Sequence, residues 1–372
     1  MAGVGSIGAQ RHPPADVTTA GLLNDALELA IRDAGISASE IDGLGLASFS
    51  LAPDRAIDFA WHAGLRLRWI MEDTMALNIV QHAVRAIGSG DASAIAVVAG
   101  DNLLGADYGR MVEAYNATTR DYLSALPTGG PNALFALLTQ RHMATNGLAR
   151  DDYGRVVVSQ RAWAQTNPYA AYREPLTMPE YLAAAEVASP LTIFDCPPPV
   201  AAAEAIILTA AQDASGRRRV EIRAVSASFN QDAHQEDGLH TGLAGVAPGL
   251  WQASGIAPED IDVVEVYDDY PVVVLIQLED LGFIKRGDAR LLLDGPGQRR
   301  PAVNTSGGLL SAGQAGAGGG LQGFVEAVRQ LRHERAAGQV PGARTAVVAG
   351  YGMVLYRYGA CSVAAVLESA AA

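Results

Sequence analysis

NTSGGLLSAGQAGAGGG, residues 304–320, joins a strand-like apolar run to a long helical pattern. Seven of these seventeen residues are glycine. This density is typical of a backbone that turns tightly and comes close to a ligand or to another element. We therefore expect a loop at a functional site. In it Asn304 shapes the turn or contacts a ligand, and Gly307, Gly308 and Gly313 present backbone N–H groups.

Three short segments of the first half recur in the second half, in the same order. The separations are 220, 244 and 250 residues, so the second copy has longer loops. The pairs are AGISASEID at 34–42 and SGIAPEDID at 254–262, AVR at 83–85 and 327–329, and AVVAG at 96–100 and 346–350. Repeated order at a nearly fixed separation indicates an internal duplication.

Each half has the pattern helix, strand, helix, strand. The apolar spacing predicts helices over 20–34 and 74–88, and residues 95–99 form a continuous apolar run. Such a run is typical of a strand covered on both faces. Strands are expected at 261–266, 345–350 and 361–367 in the second half. Helices on both sides of two buried sheets give a layered α/β architecture.

A long segment, roughly 103–200, separates the halves and is rich in Tyr, Asn, Gly and Pro. Helices are predicted over 133–146 and near 151–165. A segment of this length between repeats is usually a functional lid or binding domain, and a surface excursion is the alternative. The predicted units are residues 1–102 with 201–215, the inserted domain 103–200, and residues 216–372.

Composition excludes several classes of protein. The net charge of −13 argues against nucleic-acid binding, which needs clustered Lys and Arg. No apolar run is long enough to span a membrane, and the N-terminus does not resemble a secretion signal. The two cysteines lack metal-ligand spacing. We expect a cytoplasmic protein with no metal site.

Taken in order, several segments resemble the thiolase superfamily, near the sterol-carrier-type thiolases, and together they cover nearly the whole chain. The segments are IRDAGISASEIDGL, GSGDASAIAVVAG, DDYGRVVVSQRAWAQTNPYA, PLTIFDCPPPVAAAEAIIL, VVEVYDDYP and NTSGGLLSAGQAGAGG. The resemblance implies a duplicated thiolase fold, with two mixed five-stranded sheets in α-β-α-β-α layers and an inserted loop domain. It also implies a homodimer and a coenzyme A thioester ligand.

The sequence departs from this family at all four catalytic positions. The nucleophilic cysteine position falls at or next to Asp73, where there is no Cys or Ser. Gln314 replaces the histidine of the Gly-His-Pro loop, and it donates hydrogen bonds without shuttling protons. The dyad position is Tyr267-Asp268, and the last catalytic loop carries Tyr351.

Without an activated nucleophile, transfer through an acyl-enzyme is not expected. Two tyrosines suit a retro-aldol cleavage, because tyrosine can act as acid and as base. The pattern is similar to the thiolase-like, lipid-transfer-protein aldolases of steroid side-chain degradation. These cleave a 17-hydroxy steroid-22-oyl-CoA or a 24-oyl homologue to a ketone and propionyl-CoA or acetyl-CoA. The resemblance implies no covalently bound cofactor, coenzyme A as part of the substrate, and a separate small OB-fold/zinc-ribbon partner in a heterotetramer.

The catalytic candidates are Tyr267, Tyr351 and Asp268, and each has a structural alternative. Either tyrosine could simply pack at a strand end, and Asp268 could orient a neighbour or cap a helix beginning at Pro271. The candidates for substrate or oxyanion binding are Gln314, Asn304, Gly307, Gly308, Gly313, His240 and Asp73. Asp73 could instead be a helix cap, and His240, a candidate proton shuttle, an ordinary surface histidine.

Cys196 is expected in a packed turn and Cys361 in the core. Two other functions remain open. One is an acyltransferase with a displaced nucleophile, and the other is a non-catalytic subunit that binds acyl-CoA.

Overall fold

The computed structural model describes residues 1–51, 55–115, 117–123, 125, 130–210, 219–231, 237–289, 301–355 and 358–370. Its strands are β1 (Gly3–Gln10), β2 (Gly43–Ala47), β3 (Trp69–Glu72), β4 (Ala94–Asp101), β5 (Glu186–Ala188), β6 (Leu191–Thr192), β7 (Ala201–Thr209), β8 (Val220–Phe229), β9 (Val263–Val266), β10 (Ala302–Val303), β11 (Thr345–Leu355) and β12 (Tyr358–Ser369). Its helices are α1 (Thr19–Ala34), α2 (Arg55–His62), α3 (Ala76–Ser89), α4 (Gly105–Glu113), α5 (Pro131–Asn146), α6 (Arg150–Ala164), α7 (Met178–Leu182), α8 (Leu243–Ser254), α9 (Pro271–Asp280), α10 (Gly308–Ala312) and α11 (Gly319–Leu331).

Two five-stranded sheets share one topology. The first has the order β1-β7-β4-β2-β3, and the second, read in the same direction, has β8-β12-β11-β9-β10. In each sheet the first two pairings are antiparallel and the last two are parallel. The fold is therefore a duplicated one with mixed sheets, as the sequence repeats predict.

The repeated segments have the same local structure in both halves. Gly35 and Gly255 end α1 and α8 in the left-handed conformation, with φ of 69° and 70°. Only glycine adopts this conformation without strain. A 3₁₀ turn follows each glycine, and then Asp42 and Asp262 accept backbone N–H groups at the beginning of β4 and β11. The aspartates thus fix the register of one parallel strand pair in each half, β2 with β4 and β9 with β11.

The layers are α-β-α-β-α. Helices α3 and α11 lie between the two sheets, α1 covers the outer face of the first sheet, and α8 covers that of the second. The central layer packs mainly through apolar side chains, the largest of them Phe324 of α11, and it also buries polar ones such as Gln81 of α3 and Glu326 of α11. Because both faces of each sheet are covered, β4 is buried along its whole length and β11 is buried over residues 346–352, as the repeated AVVAG predicts.

Element boundaries differ from the expected ones at a few ends. Helix α3 begins at Ala76 instead of residue 74, because Asp73 Oδ1 accepts the backbone N–H of Met75 at 2.8 Å and holds a turn there. Helix α5 begins at Pro131, after Gly130 with φ of 85°. Strand β12 begins three residues before the expected 361.

The segment 103–200 contains α4 to α7 and the small hairpin of β5 and β6, after which β7 returns to the first sheet. The boundary drawn at residues 215 and 216 lies outside the described residues, and the three-unit division stays a prediction. No helix in the described part of the chain is both long and apolar enough to cross a membrane.

Candidate active site

A cavity of about 1990 Å³ opens where the carboxyl ends of β9 and β11 meet the segment 103–200. Most residues that line it belong to that segment. The volume exceeds that of pockets for drug-sized ligands, about 300–1,000 Å³. Ligand sites of α/β sheets commonly lie outside the carboxyl ends of parallel strands, and this cavity follows the rule.

Backbone pairing brings Tyr267 and Gln314 together at one side of the cavity. Tyr267 follows β9 directly, and its N–H donates to Ala349 of the neighbouring strand β11 at 3.1 Å. The backbone of Gln314 pairs on both sides with the segment before β7, through Pro198 O at 2.9 Å and the N–H of Val200 at 3.1 Å. The glycine-rich loop is thus held against the first half of the molecule.

Three side chains form one hydrogen-bonded group. Gln314 Nε2 donates to the Tyr267 hydroxyl at 2.7 Å and to Asp269 Oδ1 at 2.8 Å. All three residues line the cavity. Asp269 was missed by the sequence analysis, although alternation along the extended chain after β9 offered a signal. Residues 267 and 269 face one side there, whereas residue 268 faces the other.

Burial changes the proton affinities of this group. It raises the pKa of Asp269 to about 6, although hydrogen bonds from Tyr267 and Gln314 lower that value. Burial, followed by the nearby charge of Asp269, raises the pKa of Tyr267 well above its usual range. At neutral pH Tyr267 therefore keeps its proton, and Asp269 is mostly ionised and close to its titration range.

Tyr351 also lines the cavity, from strand β11. Its hydroxyl accepts the backbone N–H of Gly359 on β12. A Cβ atom at Gly359 would lie 2.5 Å from Tyr351 Cζ, so the ring occupies space that only glycine leaves open. The sulfur of Met75 packs close to Gly352, the next residue of β11. The ring of Tyr351 is therefore held by its contact with Gly359 of the neighbouring strand β12.

Asp268 points away from the cavity. Its carboxylate accepts the backbone N–H groups of Leu309 at 2.8 Å and Leu310 at 3.2 Å, at the first turn of α10. The expected cap on the helix that begins at Pro271 is not found, because Tyr270 is the N-cap residue there and no side chain caps it. Burial raises the pKa of Asp268 to about 7, although these N–H groups lower it. Its place is structural: it anchors the glycine-rich loop.

Asn304, Gly307, Gly308 and Gly313 lie behind the cavity wall. Asn304 has φ of 48°, and its Oδ1 accepts the N–H of Val266 at 2.8 Å. The three glycines have φ of 96°, 59° and 110°. A Cβ atom on Gly308 would lie 2.0 Å from the Asp268 carboxylate. These residues shape the loop and are not among those that line the cavity.

Two other candidates lie apart from the cavity. Both Asp73 oxygens accept hydrogen bonds, from Met75 N–H at 2.8 Å and from the Asn78 amide, so the residue holds the turn before α3, whose N-cap is Met75. Thr74 and Met75 line the cavity in its place. His240 lies 3.1 Å from Asp280, and Arg286 contacts both. This cluster lies at the C-terminal end of α9, whereas Tyr267 and Asp269 precede its N-terminal end. His240 is therefore not part of the hydrogen-bonded group of Tyr267, Asp269 and Gln314.

Neither cysteine is set up as a nucleophile. Cys196 lines the cavity, but burial raises the pKa of its thiol to about 12. Cys361 is half-buried and does not line the cavity, and burial raises its pKa to about 11. Both remain thiols at neutral pH, whereas nucleophilic attack needs a thiolate.

Cationic side chains line another part of the cavity. The guanidinium carbon of Arg11 lies 4.8 Å from the centre of the Tyr172 ring, and that of Arg161 lies 5.2 Å from it. Arg161 is buried, and its Nε donates to Ser311 at 3.0 Å. His12 is next to Arg11 along the wall. Within the described ranges, no cluster of three His, Cys, Asp or Glu side chains is arranged to hold a metal ion.

Comparison with known proteins gives one family and several relatives. A family described as "Thiolase C-terminal domain-like" matches residues 225–367. The 17-hydroxy-3-oxo-4-pregnene-20-carboxyl-CoA lyase of Mycobacterium tuberculosis is 32% identical over 84% of this chain and 86% of its own length. The steroid side-chain-cleaving aldolase of Thermomonospora curvata is 30% identical over 83% of this chain and 84% of its own length.

Solved structures show the same fold. The structure entitled "Ltp2-ChsH2(DUF35) aldolase" has a TM-score of 0.84 and 24% identity, and the match covers 99% of this chain and 97% of the other. An acetyl-CoA acetyltransferase from Syntrophomonas wolfei has a TM-score of 0.70 at 15% identity, with 99% and 98% covered.

Proposed function

Because the chain belongs to the thiolase superfamily and, within it, to the family of the steroid side-chain-cleaving aldolases, we propose that it cleaves a carbon–carbon bond of a β-hydroxyacyl-CoA. The substrate is a 17-hydroxy steroid-22-oyl-CoA or a 24-oyl homologue, and the products are a ketone and propionyl-CoA or acetyl-CoA. One observation carries the reaction type: Tyr267, Asp269 and Gln314 form a single hydrogen-bonded group in a cavity that also holds Tyr351.

The reaction is a retro-aldol cleavage that needs no oxidant or reductant. A base removes the proton of the β-hydroxyl group, the bond between Cα and Cβ breaks, and Cβ becomes the ketone. The electron pair passes to Cα and the thioester oxygen as an enolate. An acid then returns one proton to Cα, so the proton count is balanced.

The hydroxyl proton passes to Tyr267 while Tyr267 gives its own proton to Asp269. Tyr267 alone is a poor base because burial keeps it protonated. Asp269, with a pKa of about 6, is an adequate final acceptor near neutral pH. Gln314 supplies two N–H donors that orient the pair and cannot take the proton.

Tyr351 is the acid that protonates Cα. The N–H of Gly359 donates to its hydroxyl, and this contact stabilises the phenolate left after proton donation. The enolate oxygen faces the beginnings of two helices, since Thr74 precedes α3 and Gly320 lies in the first turn of α11, and both line the cavity. Helix N-termini stabilise developing negative charge.

Transfer through an acyl-enzyme is disfavoured by the same geometry. Cys196 is held as a thiol, and Cys361 does not line the cavity.

Coenzyme A enters as part of the substrate and not as a bound cofactor. We propose that its phosphates lie near Arg11, His12 and Arg161, which line the cavity and would attract anionic groups. The ring of Tyr172 contacts both guanidinium groups.

Assembly and location are part of the proposal. The structural relative's title names a complex with a DUF35 subunit, and we propose an equivalent small OB-fold/zinc-ribbon partner here, bound to a homodimer in a heterotetramer. A cytoplasmic location accords with two free cysteines, which are typical of a reducing compartment.

The test is product analysis with the purified chain, alone and co-expressed with a DUF35-type subunit. The substrate is 17-hydroxy-3-oxo-4-pregnene-20-carboxyl-CoA, and the readout is the ketone and propionyl-CoA by mass spectrometry. Tyr267→Phe and Tyr351→Phe should each lower kcat by about 10²- to 10⁴-fold, the usual contribution of a general acid or base. Normal turnover in both variants would rule out the tyrosine mechanism.

A partial reaction separates the two tyrosines. Propionyl-CoA in D₂O should exchange its Cα protons through the enolate. Tyr351→Phe should abolish this exchange, whereas Tyr267→Phe should leave most of it.

A further inference from the structure

Asn132 is a polar side chain in an otherwise aromatic part of the cavity wall. It lies in the first turn of α5 and lines the cavity together with Phe135, Phe194 and Tyr270. Tyr270 stacks on Phe135 with ring centres 4.1 Å apart and ring planes 20° apart. Polar groups at such a place usually fix the orientation of a ligand.

Two donors determine which way the Asn132 amide points. The Tyr270 hydroxyl lies 2.6 Å from Asn132 Oδ1, and the Cys196 sulfur lies 3.6 Å from the same oxygen. Burial raises the pKa of Tyr270 well above its usual range and that of Cys196 to about 12, so both keep their protons. Both therefore donate to Oδ1, and Nδ2 is turned away from them.

Nδ2 has no protein acceptor within the part of the chain that the structure describes. Asn132 is only half-buried, since its side chain borders the cavity. Solvent that enters the cavity would hydrate the two N–H groups. An apolar ligand without an acceptor would displace that water and leave the donor unpaired, which is costly in an aromatic environment.

We propose that Asn132 Nδ2 donates to a ketone or hydroxyl oxygen on the ring part of the acyl group. This subsite deepens the proposed function and rests on it. Tyr270 and Cys196 act as positioning residues that keep the donor aimed at the ligand. Asn132 thereby selects oxygenated polycyclic acyl-CoA thioesters over their deoxygenated counterparts.

The test compares two ligands and two variants. The ligands are 17-hydroxy-3-oxo-4-pregnene-20-carboxyl-CoA and the same compound without the 3-oxo group. Asn132→Asp keeps the acceptor for Tyr270 and Cys196 but replaces Nδ2 by an oxygen. Tyr270→Phe leaves Asn132 in place but removes the hydroxyl that orients it. The equilibrium dissociation constant is measured for each ligand with the wild type and with each variant. KM and kcat are measured where cleavage occurs.

The wild-type protein should bind the 3-oxo compound about tenfold more tightly, the usual scale of one lost hydrogen bond that leaves a donor unpaired. Asn132→Asp should remove this preference by weakening only the 3-oxo compound, so that the change appears in the dissociation constant and KM of that compound. Tyr270→Phe should remove part of it.

Equal binding of the two ligands by the wild type would overturn the proposal. So would an equal loss for both ligands in Asn132→Asp, or a fall in kcat with both, because either result would place the amide at the thioester. If neither compound is cleaved, the proposed function fails, but the binding preference still decides the role of Asn132.

Discussion

The side-chain amide nitrogen of Gln314 lies 2.7 Å from the hydroxyl oxygen of Tyr267. A glutamine donates hydrogen bonds but carries no transferable proton. The proton that moves in the reaction must therefore reside on Tyr267 or on the carboxylate of Asp269, which the same amide also contacts. Gln314 therefore acts only as a hydrogen-bond donor in this group and does not shuttle protons.

Gln314→Leu should lower kcat by about 10- to 100-fold, because Tyr267 and Asp269 lose the donor that orients them. The variant should also move the acidic limb of the pH profile to higher pH, since the Gln314 hydrogen bond lowers the pKa of Asp269. The measurement is kcat/KM against pH. Gln165→Leu, at an exposed position, is the control. If the acidic limb of the pH profile does not shift, Gln314 does not influence the pKa of Asp269.

Asp269→Asn should lower kcat by about 10²- to 10⁴-fold, because the final proton acceptor is lost. In the wild type, kcat/KM should fall below about pH 6, where Asp269 becomes protonated. The residual activity of the variant should lack this limb. Should the limb persist near pH 6 in Asp269→Asn, another group is the base.

The same substitution should increase stability at neutral pH. Burial raises the pKa of Asp269 from 3.8 to about 6, so the folded state binds the proton more tightly than the unfolded state. Its contribution to the free energy of unfolding is fully present below pH 3.8 and is lost as pH rises to about 6. The difference corresponds to at most roughly 3 kcal/mol.

Urea unfolding of both proteins at pH 4 and pH 7.5 measures this effect. The free energy of unfolding of Asp269→Asn should exceed that of the wild type by more at pH 7.5 than at pH 4. A smaller gain at pH 7.5 than at pH 4 would contradict the burial of an ionised Asp269.

Neither cysteine should carry an acyl group during turnover. Intact-protein mass spectra of the enzyme quenched during reaction should show no adduct, and Cys361→Ser should keep kcat within about twofold, as expected for a site away from the chemistry. Cys196→Ser should keep kcat as well, with a change confined to KM, because Cys196 orients Asn132. An acyl adduct on Cys196 would favour the acyltransferase.

The repeats were sufficient to predict the duplicated fold, because each repeated segment has the same structural role in both halves. Gly35 and Gly255 end equivalent helices, Asp42 and Asp262 accept equivalent backbone N–H groups, and the two AVVAG segments form equivalent strands. They could not indicate which side chains face the cavity. That depends on alternation after β9, which turns Asp269 inward and Asp268 outward. Asn132 could not be predicted either, because its contacts with Tyr270 and Cys196 join residues 138 and 64 positions away.

Asp101 joins the two halves of the molecule beside the site, and its loss should affect both stability and turnover. The residue ends β4, is fully buried, and accepts hydrogen bonds from Ser48 Oγ at 2.7 Å and Ser50 N–H at 2.8 Å. Its other oxygen accepts the N–H of Ala317, at the wall of the cavity, at 2.8 Å.

Asp101→Asn replaces one acceptor oxygen by an N–H₂ group that would face these donors. Leaving buried donors unpaired costs about 1–3 kcal/mol each, so the urea midpoint should fall clearly. Because Ala317 lies three residues from Gln314, kcat should also fall, by about tenfold for a small displacement of the catalytic group. Asp91→Asn, at an exposed turn, is the matched control. A destabilised variant with unchanged kcat would show that Asp101 supports the fold and does not position the loop, because then the hydrogen bond to Ala317 would contribute nothing to the arrangement of Gln314.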